Sequence, residues 1–414
     1  MTIILYNFAI GCFRLLLWLV SPFHIKARKM IQGRKQWKIR LGHDFGKIDD
    51  PVVWFHCASL GEFEQGRPLL ETFHKTFPHY KILLTFYSPS GYEIRKNYPN
   101  AHAVYYLPWD TAANAQAFYD IVNPVAAFII KYEFWYHMIE ESKKRNIPVM
   151  VCSSIFNQRQ IFFKAYGGLF RTLLKNLNHI FVQNSESLQL LRNIGISSVT
   201  VSGDTRVDRV AAIIKESAKN PILEQFANGS ELFIVGSSWP RDIRILSGLI
   251  NHEKHLKFVI APHEIDDPGI RQLEANINRP SVRYTRFQES SQADILIVNT
   301  IGILSHLYQY GKYAYIGGGF EKGLHNILEP ATFGLPLFFG NLNYHKFAEA
   351  DALVKLGGAF AVGDSEELYQ HYHQLETDKD RYRDASRVCR HYIGQHTGAT
   401  EIIMKYVKEE LQLK

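Results

Sequence analysis

Val52-Val53-Trp54-Phe55-His56-Cys57-Ala58-Ser59-Leu60-Gly61-Glu62 is a β-rich run that ends in a small-residue turn, and helical spacing continues through Phe63, Glu64 and Gln65. A strand feeding a helix in this way is one half of a parallel βαβ unit. The same alternation recurs down the chain. The runs KILLTFYS, AHAVYYLP, VAAFIIK, IPVMVCSS, HIFVQN and SVTVSG, each separated by an amphipathic stretch, carry it to about Gly203. A second set follows in ELFIVGSS, LKFVIAPH, VRYTR, ADILIVNT, YAYIGGG and PLFFG. Strands alternating with helices predict parallel sheets covered by helices, and two such sets predict two doubly wound α/β domains facing a cleft, with ligands beyond the carboxyl ends of the strands. The total of 414 residues fits two domains of about 200 residues each.

The boundaries follow from composition. Residues 206–230 are polar and helical with Pro221 and Asn228-Gly229 as breakers, and form the expected interdomain linker. That leaves an amino-terminal domain over 44–205 and a carboxy-terminal domain over 231–395. Residues 396–414 remain as a final helical segment.

The first 43 residues stand apart. Ile3–Val20 is almost wholly apolar, interrupted by Asn7 and Arg14, and its length is close to the ~18–20 residues that span hydrocarbon. An arginine near the middle of such a helix is costly, so a shallow interfacial helix with Arg14 snorkelling to the headgroups fits as well as a full span. A secretory signal would place its bases before the apolar run, whereas here they follow it and Pro22-Phe23 occupies the cleavage position. A third alternative is a buried first helix of the amino-terminal domain. Residues 1–43 hold Arg14, Lys26, Arg28, Lys29, Arg34, Lys35, Lys38 and Arg40 and no acid. Of the 47 bases in the chain, 39 therefore remain to face 40 acids, so the body is electrically balanced and does not read as a nucleic-acid binder. The basic run predicts attachment to anionic membrane lipid with the body on the cytoplasmic side.

Cys12, Cys57, Cys152 and Cys389 are scattered, and no HExxH or CxxC set occurs, so neither a disulfide framework nor a metal site is expected. The chemistry is expected at four strand-to-helix junctions. Glu62, in the first turn after the Gly61 turn, reads either as a base for a hydroxyl or as a capping carboxylate paired with Ser59. Glu133, among the aromatic residues of Ile129–Trp135, suits a sugar acceptor, or is an exposed acid on a core cluster. Asn299–Leu304, with Gly302 permitting close approach, is a candidate anion site. At Tyr315–Phe320 a strand runs into three glycines and then Asn326 and Glu329, expected on one face of the next helix, where a carboxylate can take both hydroxyls of a ribose. Pro262-His263 and Gly236-Ser237-Ser238 end neighbouring strands and line the same region.

Five motifs, in order, carry a family resemblance: ASLGE at Ala58–Glu62, SPSG at Ser88–Gly91, YEFW at Tyr132–Trp135, APH at Ala261–His263 and HNILEP at His325–Pro330. Together, behind an apolar amino-terminal helix, they resemble the 3-deoxy-D-manno-octulosonic acid (Kdo) transferases. The resemblance implies the glycosyltransferase B architecture, with a last helix at Ala399–Leu413 crossing back to the first domain. It implies transfer of Kdo from CMP-Kdo to the acylated, phosphorylated glucosamine disaccharide precursor of lipid A, at the cytoplasmic face of the inner membrane, with no obligate protein partner. Residue by residue it implies Glu62 as the general base, and Ser59, Gly61, Ser90, Gly91 and Glu133 at the acceptor. For CMP it implies Ser237, Pro262, His263, Ile301, Gly302, Ile303, Asn326, Ile327, Leu328 and Glu329. The chain departs from the family pattern in lacking an arginine at Pro262-His263, in carrying Ile303 in place of Glu, and in carrying Lys131 two residues before Glu133. A UDP-sugar transferase of the same fold and a non-catalytic nucleotide-binding protein remain the alternatives.

Overall fold

The computed structural model describes residues 3–216, 219–288, 292–321 and 323–411. Residues 412–414, including the Leu413 end expected for the last helix, lie outside the described residues. The chain forms two compact units. One comprises Met1–Arg209 with Thr397–Lys414, the other Val210–His396.

The first unit contains seven strands: β1 Val52–Cys57, β2 Lys81–Phe86, β3 Ala103–Tyr106, β4 Ala126–Ile130, β5 Val149–Ser154, β6 His179–Val182 and β7 Val199–Val201. All pair in parallel in the order β3-β2-β1-β4-β5-β6-β7. Central strands such as β1 and β4 are buried along their whole length, as a sheet with helices on both faces requires. One face packs Trp54, Leu83, Ile129 and Val151 against Phe118, Tyr119 and Leu173. On the other, Phe55, Leu84 and Phe128 meet Leu69 and Phe73 of the helix Leu60–Thr76.

The second unit contains β8 Glu231–Ser238, β9 Leu256–Pro262, β10 Ser281–Arg283, β11 Ile295–Ile297, β12 Gly311–Ile316, β13 Leu337–Gly340 and β14 Ala359–Val362. They too are parallel, in the order β10-β11-β9-β8-β12-β13-β14. β14 was not anticipated. Its four residues, Ala-Phe-Ala-Val after Gly357-Gly358, carry little β-branched character.

The stretch expected as a linker forms two helices, Thr205–Glu216 and Pro221–Ala227. The second buries Leu223 and Phe226, and the Phe226 carbonyl accepts from Lys257 Nζ at 2.7 Å, so it packs as part of the second unit. After the helix Lys379–His396, Gly398 turns the chain in the left-handed region at φ 105°, and the helix Ala399–Glu410 packs in the first unit. Ile403, Met404 and Val407 are buried there beside Leu69 and Phe73, and Asp208 accepts the Gly398 and Thr400 N–H groups at 2.6 Å each.

Candidate active site

In a parallel sheet the crevice for a ligand opens where strand order reverses, beyond the carboxyl ends of the two strands that flank the reversal. In the first unit these strands are β1 and β4. Their ends carry Glu62 and Glu133. Ser59 caps the helix Leu60–Thr76 with extended backbone but makes no side-chain cap bond, so the reciprocal Ser59–Glu62 box is absent. Glu62 nonetheless reaches back, its Oε2 accepting the Ala58 N–H at 2.5 Å. Burial is the main cause that pushes its carboxyl up to about 7, and the Glu133 charge adds to it. The Ala58 N–H, Lys131 and the Ser59 N–H oppose the rise. Gly61 does not serve as a strained turn. It lies inside the helix, and a Cβ there would meet only open space.

Lys131 leaves β4 in the left-handed region at φ 66°, which turns the next residues out of the sheet. The motif then divides between two jobs. Phe134 is buried against Phe156 and Phe162, as a core residue is, while Glu133 and Trp135 stay partly exposed. The Glu133 carboxylate accepts Trp135 Nε1–H at 3.0 Å, and Trp135 stacks on Tyr87 with ring centroids 4.6 Å apart. Behind Glu133 lies His56, fully buried on β1, with Nε2 3.7 Å from the carboxylate and Nδ1 2.8 Å from Thr85 Oγ1. Sequence reasoning passed over His56. Its one signal is a histidine inside an otherwise apolar strand.

The remaining acceptor-side positions lie one strand over. Ser90 is exposed, its Oγ 2.6 Å from Ser88 Oγ. Gly91 is buried, and a Cβ there would overlap the Phe86 ring, so packing requires this glycine. Arg34, counted among the lipid-facing bases, is instead buried. Its guanidinium lies over the Trp109 and Tyr87 rings at 4.2 and 4.9 Å and donates to the Leu107 and Tyr87 carbonyls.

In the second unit the order reverses between β8 and β12. A hollow of about 290 Å³ is lined there by Ser237, Gly302, Ser305, Tyr308, His325, Asn326 and Glu329 among others. The structure thus brings together four residues assigned to CMP: Ser237, Gly302, Asn326 and Glu329. Ser237 and Gly302 both adopt left-handed backbone, at φ 53° and 91°. The glycine turn after β12 answers to neighbouring backbone as well as to any ligand, because a Cβ on Gly317 would overlap the Ser237 carbonyl and one on Gly319 the Gly340 backbone. Asp242, fully buried and unforeseen, binds the two turns together. It accepts from the Trp239 N–H at 2.8 Å, the Gly318 N–H at 3.2 Å and the Tyr315 hydroxyl at 2.9 Å.

Two expectations for this unit need correction. Asn326 and Glu329 do not share a helix face, because Asn326 precedes the short helix Leu328–Thr332. Its Oδ1 accepts the Leu328 N–H at 3.1 Å and its Nδ2 donates to Glu329 Oε1 at 3.0 Å, so it clasps the carboxylate in place. The helix after Gly302 is a single turn, Leu304–Leu307, capped by Ile303, and offers N–H groups but little macrodipole. Ile301 is 84% exposed, whereas Ile327 and Leu328 are buried and could meet a ligand only through backbone. His263, after Pro262, stacks on Trp239 at 4.3 Å, and His325 lies 4.7 Å from it. Burial first, and then the His263 charge, lower the basicity of His325.

The family described as 3-deoxy-D-manno-octulosonic-acid transferase (kdotransferase) matches residues 35–209, the stretch that carries Glu62 and Glu133. A 3-deoxy-D-manno-octulosonic acid transferase of Chlamydophila psittaci is 24% identical over 85% of this chain and 85% of its own length. The one from Aquifex aeolicus is 27% identical over 77% and 84%. The chain is thus similar to the Kdo transferases over most of its length. That similarity supports a Kdo glycosyltransferase role. Among solved structures, the UDP-GlcNAc 2-epimerase of Neisseria meningitidis bound to UDP-GlcNAc superposes with a TM-score of 0.63 at 15% identity, covering 87% of this chain and all of that one. It shows the fold alone: two parallel-sheet α/β units of the glycosyltransferase B kind.

Distance in sequence hid one further cluster. Glu231, His255 and Glu376 come within reach of a common ion, but Lys312 Nζ already lies 2.7 Å from Glu231 and 3.0 Å from Glu376.

Proposed function

We propose that the protein transfers Kdo from CMP-Kdo to the acylated, phosphorylated glucosamine disaccharide precursor of lipid A, by an inverting displacement on the cytoplasmic face of the inner membrane. The acceptor hydroxyl gives its proton to Glu62 as its oxygen bonds to the anomeric carbon of Kdo, and the bond from that carbon to the phosphate oxygen breaks, releasing CMP. The observation that carries this reading is the Glu62 carboxyl, pushed up to about 7 beside Glu133 at the strand reversal of the unit matched by the family. A base works best with acidity near the operating pH, and a plain capping carboxylate has no need of it. Trp135, backed by Tyr87, offers a ring face to the sugar, and Glu133 accepts from its hydroxyls.

For the donor, Glu329, held by Asn326, takes the ribose hydroxyls. The departing phosphate is assigned to the N–H groups around Gly302 and to the imidazoles of His263 and His325, which supply donors where the family arginine is missing. The test is incubation of purified protein with CMP-Kdo and the acylated disaccharide, followed by mass measurement of the lipid product. A mass gain of one or more Kdo residues with equal release of CMP supports the reading. Inhibition by UDP but not by CMP, or no product, overturns it.

A further inference from the structure

The apolar helix Ile3–Val20 is long enough to cross a bilayer, but its contacts favour another placement. One stripe, Ile3, Tyr6, Ile10, Phe13 and Leu17, recurs at alternating steps of three and four and faces the body of the first unit. Tyr6 is 7% exposed. Its hydroxyl donates to Asp110 Oδ2 at 2.5 Å and accepts the Tyr136 N–H at 3.3 Å. Asn7 Oδ1 lies 2.7 Å from His137 Nε2, and the Phe13 ring meets Trp109. Asp110 also accepts the N–H groups of His137 and Met138, so this clamp is a buried, fully partnered carboxylate. At the other end of the helix the chain turns at Ser21–Phe23 and packs back through the helix Ile25–Gly33. Both ends are therefore tied to the same body.

The opposite face is apolar and bare. Ile4, Leu5, Phe8, Leu15, Trp18 and Leu19 are between 51% and 77% exposed. Arg14 on this helix and Lys26, Lys35 and Lys38 just after it in the chain are exposed, and the first 43 residues hold no acid. We infer that this helix lies flat in the headgroup region of an anionic membrane, its bare face in the outer acyl layer, and does not cross the bilayer. A crossing helix would carry Ile3 to Ile10 to the far leaflet and strip Tyr6 from Asp110, leaving a buried carboxylate short of a donor. The clamp also fixes the placement of the chemistry, since Tyr136 and His137 directly follow Glu133 and Trp135. A helix held flat presents that loop at headgroup level, where the head of a lipid-linked acceptor lies.

The inference rests on membrane association, and its test separates the two. Cys12 is the one exposed cysteine of the four and lies at the middle of the helix. A nitroxide on Cys12 of the full chain, on phosphatidylglycerol–phosphatidylethanolamine vesicles, should report a depth of about 5–10 Å below the phosphates. In C12S variants, labels on I4C and L19C should give matching depths in one leaflet. A Cys12 label at the bilayer midplane, about 15 Å deep, with positions 4 and 19 in opposite leaflets, would overturn the flat helix while keeping membrane binding. A chain that stays in the supernatant when vesicles are sedimented would overturn the membrane reading itself.

Discussion

Glu62→Gln separates a base from a cap because glutamine keeps the oxygen that takes the Ala58 N–H and removes the group that takes a proton. The Glu62 carboxyl rises from its ordinary 4.5 to about 7 in the folded protein. A carboxyl raised on folding leaves the folded state holding more protons than the unfolded chain between those two values, so stability falls as pH rises through that window and stays lowered above it. At about 1.4 kcal/mol per pH unit the ceiling on the cost is about 3.4 kcal/mol. Glu62 is only half-buried, and solvent screening together with the Ala58 N–H bond reduces this to about 1–2 kcal/mol. Glutamine keeps an oxygen for the Ala58 N–H and carries no charge. The variant should therefore be more stable than the wild type by about 1–2 kcal/mol at pH 8 and equal to it near pH 4, as urea unfolding at the two pH values would measure.

Turnover should move the other way. Loss of a positioned base lowers kcat by about 10²–10⁴. The wild-type rate should climb about tenfold between pH 6 and pH 8 as the base ionises through about 7, and the residual rate of the variant should lack that limb. A variant with near wild-type kcat would refute the base and leave Glu62 as a cap, since glutamine can still accept the Ala58 N–H.

Glu133→Gln removes the like charge but not the burial, so the acidic limb of the rate profile should shift down by about one pH unit; an unmoved limb would disconnect the two carboxylates. Glu329→Gln should weaken CMP by one to two decades in calorimetry, the loss of roughly 1.5–3 kcal/mol for a hydrogen bond to a charged group, whereas Glu62→Gln should leave CMP affinity nearly unchanged. Activity should survive EDTA. Complete loss restored by Mg²⁺ or Zn²⁺ would show a metal requirement and direct attention to Glu231, His255 and Glu376.

The fold was readable because its signal is local. Most of the first thirteen strands are short apolar runs closed by a turn, and only β14, whose Ala-Phe-Ala-Val carries little β-branched character, fell below that signal. Strand order was less accessible. That β1 lies between β2 and β4, and β8 between β9 and β12, depends on pairings across as many as eighty residues, yet these reversals locate both half-sites. Single candidate residues at strand ends stood out for the same local reason, as Glu62, Glu133, Gly302 and Glu329 did. Their partners did not. His56 supports Glu133 from inside a strand, and Asp242 reads in sequence as an ordinary first-turn acid while its acceptors serve Tyr315 and Gly318 more than seventy residues on.

Arg34 shows why charge counting alone fails at a surface. In the sequence it is one of eight bases in an acid-free segment and indistinguishable from Lys35 beside it. In the structure Lys35 is exposed, while Arg34 is buried under Tyr87, Tyr106 and Trp109, and burial lowers its guanidinium to about 10. A planar guanidinium can stack on rings and still donate in its own plane to the carbonyls of Met30, Tyr87 and Leu107, which a lysine ammonium cannot do. The rings it supports lead on through Tyr87 to Trp135 and Glu133. The basic segment therefore divides its labour. Its exposed lysines are those proposed to meet an anionic surface, and its one buried arginine braces the aromatic wall on which the acceptor sugar is proposed to rest.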